Sequence, residues 1–152
     1  MKIVVISLCL LLTSWDLFSQ SESPLYDSVL AKSLGSDDYG MKSYILVMLK
    51  TGPVEIKDEA KLDSLFTGHM ENIVQLANLG KLIVAGPFSQ NEKSYRGIFI
   101  LNVRTFEEAS TLLNSDPLIK AKVLEPELFE WYGSAALGEY LKVHTRIEKK
   151  HF

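Results

Sequence analysis

Lys42 to Lys50, KSYILVMLK, is apolar on both of its alternating sets of side chains. Tyr44, Leu46 and Met48 form one set, and Ile45, Val47 and Leu49 form the other. Successive side chains of a strand point to opposite faces, so a run like this must be covered from both sides. Leu82 to Phe88 and Tyr95 to Val103 repeat the pattern. The chain is therefore expected to build a sheet that has something packed on each face.

The segments between these strands read as helices. From Lys57 to Leu79 the apolar positions Leu62, Leu65, Phe66, Ile73 and Leu76 fall at the three-four spacing of one buried stripe. His69 lies on that stripe, and Gly68 beside it leaves room next to the imidazole, at a cost of about 1 kcal/mol in helix propensity relative to Ala. Gly80 stops the helix. Thr105 with Glu108 three residues on is a capping box, and Phe106, Ala109, Leu112 and Leu113 give the second helix a buried side. Asn114-Ser115-Asp116-Pro117 ends that helix and starts a short helical turn through Val123, with Asp116 as its N-cap. Glu125 to Tyr132 is the fourth strand.

The order strand-helix-strand-strand-helix-strand, with right-handed crossovers, predicts an α+β, ferredoxin-like βαββαβ fold over residues 42–132. The second and fourth strands belong at the edges, where Pro87 and Pro126 are tolerated. Both helices then cover one face. The other face is either packed against a second copy, giving a homodimer, or covered by the tail from Gly133 to Phe152 with its Leu137, Tyr140, Leu141, Val143 and Ile147.

Two segments flank this unit. Met1 to Gln20 has one Lys before an apolar run from Ile3 to Leu12 and a more polar end, the layout of a signal peptide. The chain is thus expected to be exported, periplasmic or secreted, with no stable membrane association after cleavage. The alternative is an uncleaved anchor, although the run is short for a span of about 20 residues. Residues 21–41 form a lead-in, in which Ser23-Pro24 could start a short helix ended by Gly35. Cys9, the single cysteine, would leave with the signal peptide, and with it any disulfide, thiol nucleophile or thiolate metal site.

Little in the chain carries chemistry. A net charge of -3 gives no reason to expect a nucleic-acid partner. The three histidines, His69, His144 and His151, have no metal-ligand spacing, so no metal is expected. There is no phosphate loop and no Gly-x-Ser-x-Gly elbow, so no nucleotide cofactor or serine nucleophile is expected. What remains is His69 with an acid, Asp116. A carboxylate against one imidazole nitrogen fixes the tautomer and strengthens the other nitrogen as a base. The plainer readings are a satisfied core histidine and an aspartate that only caps a helix. Trp131 and Tyr132 are read either as core or interface residues or as the lining of a ligand site.

The segments YGMKSYILVMLKTGP (Tyr39 to Pro53), His69, LANLGKLIVAGPF (Leu76 to Phe88), RGIFILNV (Arg96 to Val103) and SDP (Ser115 to Pro117) resemble the YciI-like, or YCII-related, family. WYGSAAL at Trp131 to Leu137 resembles a longer subgroup of it. The resemblance implies a dimeric α+β barrel of ferredoxin-like halves. It also implies a pocket in which a helix His and the Asp of an Asp-Pro pair, here His69 and Asp116, form a catalytic pair without a cofactor. Some relatives carry out dehydrochlorination or act on small cyclic compounds. Gly86 and Pro87 would shape the pocket, with Trp131 or Tyr132 lining it. The expected function is a small-molecule lyase or isomerase; the alternative is a non-catalytic dimeric module that binds a small ligand or another partner.

Overall fold

The structure, a computed structural model, describes residues 23 and 25–150. The signal-peptide reading of Met1 to Gln20, Cys9 within it, and Pro24 as a first helical residue lie outside the described residues. Four strands form one antiparallel sheet: β1 (Met41–Thr51), β2 (Leu82–Pro87), β3 (Tyr95–Leu101) and β4 (Leu124–Ser134), in the order β2-β3-β1-β4. The helices are α1 (Ser28–Leu34), α2 (Glu59–Asn78), α3 (Phe106–Leu113), α4 (Pro117–Lys120) and α5 (Leu141–Ile147), the last preceded by a 3₁₀ segment, Ala135–Tyr140. This is the ferredoxin-like βαββαβ arrangement, with β2 and β4 at the edges. Pro87 and Pro126 lie on those strands, paired with Gly97 and Leu49.

The two sets of β1 side chains divide the interior in two. Ile45, Val47 and Leu49 pack with Phe99 and Leu101 of β3 beneath Leu76 of α2, Ala109 and Leu113 of α3 and Ile119 of α4. Tyr44 turns to the opposite face with Ile83 and Ile100, and there Leu46, Val84, Trp131, Leu137 and Leu141 close over them. The tail thus folds back on the second face. Tyr140 donates its hydroxyl to the carbonyl of Ile83, and Tyr44 donates to the carbonyl of Ser134 at 2.7 Å. The cover is partial: Met48, Ile98 and Phe129 share that face by register but lie outside the Tyr44 cluster, and Phe129 is 44% exposed.

The helices follow their local chemistry, with four differences from the sequence reading. α1 starts at Ser28 rather than at Ser23-Pro24, because the Asp27 carboxylate accepts from the amides of Val29 and Leu30; Gly35 ends it in the left-handed conformation, φ 69°. α2 begins one residue after Asp58, whose side chain accepts from Lys61. The buried arc of α2 is narrower than the stripe: its buried residues are His69, Asn72 and Leu76, and Phe66 is 56% exposed. Thr105 caps α3, while Glu108 reaches back to the amide of Arg104 rather than of Thr105. Among the described residues, no helix is long and apolar enough to cross a membrane.

Candidate active site

His69 sits where α2 crosses both β3 and the start of α4. Its ring stacks on Phe99 at 6.0 Å between centroids, and Phe66 tilts against it at the same distance. Its Nδ1 lies 2.6 Å from Oδ2 of Asp116, a contact that is buried at both ends. Asp116 is 1% exposed. Its other oxygen, Oδ1, accepts from the amides of Leu118 and Ile119 and so caps α4. One carboxylate therefore makes both contacts, a different oxygen serving each.

The bonding fixes the chemistry of the imidazole. An ionised carboxylate only accepts, so Nδ1 carries a proton and donates it to Oδ2. In the neutral ring Nε2 is then the bare nitrogen. Nε2 has no partner among the described residues. Among the described residues, the only fully buried side-chain polar atom without one is Ser36 Oγ. Nε2 is therefore not fully buried, although the residue as a whole is only 8% exposed.

Three contacts hold α2 to the α3–α4 corner. A Cβ on Gly68 would lie 2.9 Å from Cγ of Pro117, so the glycine is needed by the proline rather than by the imidazole. His69 meets Asp116. One turn on, Asn72 Nδ2 donates to Ser115 Oγ at 2.7 Å, and that hydroxyl donates to the carbonyl of Leu112 at 2.6 Å. Asn72 and Ser115 escaped the sequence reading. The available signal was a polar residue on the apolar stripe three positions after His69.

The remaining candidate residues lie elsewhere in the fold. Gly86 and Pro87 are on edge strand β2, opposite Ile98 and Gly97, one step along the ladder from the Ala85–Phe99 pair on whose Phe99 the His69 ring rests. Trp131 is on the opposite sheet face, 5.6 Å from Tyr44 between ring centroids and lying across Gly133. Tyr132 donates to Asp37 in the lead-in. That bond raises the Tyr132 phenol to about 12 and holds the Asp37 carboxyl below its ordinary value, with help from the amide of Met41. Burial raises the Tyr44 phenol and lowers the Lys42 ammonium, the latter also through the charge of Arg104. Two surface clefts, of about 390 Å³ beside Ser43, Arg104, Glu130 and Trp131 and about 730 Å³ along Phe66, Met70, Val74 and Leu79, include neither His69 nor Asp116. Among the described residues no group of three or more His, Cys, Asp or Glu could hold a metal ion.

No protein-family model matches this chain. No curated protein matches it either. Among solved structures it is similar to the 5-chloro-2-hydroxyhydroquinone dehydrochlorinase of Burkholderia phenoliruptrix AC1100 in complex with 2,5-dihydroxybenzoquinone. The identity is 19% and the TM-score 0.43, and the match covers 58% of this chain and 92% of that one. Likeness at that level assigns no activity or site to this chain, so what is inferred about its chemistry rests on its own geometry.

Proposed function

We propose that this chain is a YciI-like, cofactor-free enzyme of the lyase or isomerase type that acts on a small molecule. His69 is its general base and acid, and Asp116 orients His69. The observation that carries the reading is the asymmetry of the imidazole: Nδ1 is tied to a buried carboxylate while Nε2 has no partner among the described residues and is not fully buried. Nε2 takes a proton from an acidic carbon, and the C–H electron pair moves into a new double bond. In an elimination, a group on the adjacent carbon leaves with its bonding pair and takes up the proton from His69 or water. In an isomerisation, the proton returns to a different carbon. The imidazolium formed on the way is stabilised by the Asp116 carboxylate.

The chain is further read as an exported homodimer, with residues 1–20 as signal peptide. Met48, Ile98 and Phe129, left outside the tail's cover, support a second copy on that face.

The direct test is deuterium incorporation from D₂O into a panel of small cyclic carbonyl compounds, followed by NMR. Wild type should exchange at least one of them, and His69→Gln and Asp116→Asn should not. Equal exchange in wild type and both variants would exclude the His69–Asp116 pair as the base. A second reading, a dimeric module that binds a small ligand without chemistry, is favoured by the two clefts that lie away from His69. A compound recovered unchanged from the purified protein, displaced by substitutions at Arg104 or Met70 but not at His69, would support it.

A further inference from the structure

The Asn72–Ser115 contact has no part in proton transfer, yet it sits beside the groups that do. α2 presents His69 and, three residues on, Asn72 on one buried face. The α3–α4 corner presents Asp116 and, one residue before it, Ser115. The Ser115 hydroxyl has a single proton, and it goes to the Leu112 carbonyl. The hydroxyl can therefore only accept from Asn72, and the amide must turn its NH₂ inward. The chain of bonds has one direction. Asn72 is only 8% exposed, in a place where an apolar side chain would continue the stripe without needing any partner.

Asp116 has little freedom of its own. Oδ1 is fixed to the first amides of α4, so the carboxylate moves with the α3–α4 corner as one body. What can still change is the seating of that corner on α2. Gly68 against Pro117 sets how close the two come. Asn72 to Ser115 resists sliding along the α2 axis. A slip of one residue along a helix is about 1.5 Å, enough to break the 2.6 Å contact between Nδ1 and Oδ2.

We propose that Asn72 and Ser115 are positioning residues for the His69–Asp116 pair. They set the register between α2 and the α3–α4 corner, and through it keep Nδ1 on the carboxylate and Nε2 facing outward. The proposal rests on the acid/base reading of His69.

The test uses the full chain and follows His69 by NMR in wild type, Asn72→Ala, Ser115→Ala, Ser115→Thr, and Asn72→Ala combined with Asp116→Asn. The readouts are the exchange rate of the Nδ1 proton with water and the tautomer of the ring. Exchange is expected to rise at least about fivefold in Asn72→Ala and Ser115→Ala, the scale of coupling between neighbouring groups. Ser115→Thr, which keeps the hydroxyl, should retain the wild-type rate. With Asp116→Asn already present, adding Asn72→Ala should leave the tautomer unchanged, because the path through Asp116 is gone. Unchanged exchange and tautomer in both single variants, with only a lower melting temperature, would make the contact structural and overturn the proposal. So would failure of both to fold. Wild type without turnover on any compound, but with these shifts in exchange, would instead count against the acid/base reading while leaving the register role intact.

Discussion

Gly68 lies directly under Pro117: a Cβ there would meet the ring Cγ at 2.9 Å. In an exposed helix, Gly→Ala would stabilise by about 1 kcal/mol. Here the methyl must push α4 away from α2, and overpacking of this kind costs roughly 1–3 kcal/mol. Gly68→Ala is therefore expected to be destabilising in urea unfolding, against its helix propensity. A more stable variant would show that the two helices are seated less closely.

The two oxygens of Asp116 separate two costs. Asp116→Ala removes the α4 cap and strands the buried Nδ1 proton, a combined loss of about 2–4 kcal/mol. Asp116→Asn keeps an oxygen for the amides of Leu118 and Ile119 and should cost clearly less. Chemical denaturation of the two variants checks the order, and equal losses would show that the cap at Oδ1 contributes little.

How much of this could be read beforehand differs from residue to residue. The two-faced strands, the Thr105 cap and the Asp116-Pro117 start of α4 rest on local chemistry, and the structure places them as the sequence predicts. Phe66 does not, because a three-four spacing marks an arc of helix but not where the sheet beneath it ends. Ser23 was displaced as a cap by Asp27, which reaches two amides at once. The two accounts of the second sheet face could not be separated by hydropathy, since Leu137 and Leu141 suit either. His69 and Asp116 are 47 residues apart, and no local pattern encodes their contact. Asn72 was passed over because one polar residue barely interrupts an apolar stripe.

The lead-in is fastened to β4 by Tyr132 and Asp37, and its pH dependence has a definite sign. Tyr132 is raised from 10.0 to about 12 in the folded chain, so its contribution is complete below pH 10 and is lost as pH rises through about 12. Asp37 is lowered from 3.8, so its contribution is present above that value and is lost as pH falls through the lower folded value. Tyr132→Phe should flatten both limbs of the stability profile. An unaltered alkaline limb would contradict the pairing.

The tail is held at Tyr140 by one hydrogen bond to the Ile83 carbonyl. Tyr140→Phe should cost about 1 kcal/mol and show first as faster amide exchange in residues 135–147, with the helix-side core unaffected. Exchange that rises evenly over the whole chain would mean that the tail and core open together.

A second copy on the Met48–Ile98–Phe129 surface would be broken by a charge. Phe129→Glu is expected to convert a dimer into a folded monomer in sedimentation, since the side chain is already 44% exposed in the single chain. A wild-type chain that sediments as a monomer would remove the homodimer from the proposal.

Asp116, bonded through Oδ2 to Nδ1, is expected to set the tautomer of His69 and leave Nε2 bare. The most direct measurement is ¹⁵N NMR of the His69 ring, assigned with His69→Gln, in wild type and in Asp116→Asn. Wild type should show a protonated Nδ1 and an unprotonated Nε2 in the neutral ring. In Asp116→Asn the amide oxygen stays with the α4 amides and its NH₂ faces Nδ1, so the proton should move to Nε2. The same tautomer in both proteins, or a wild-type ring already protonated at Nε2, would contradict the account.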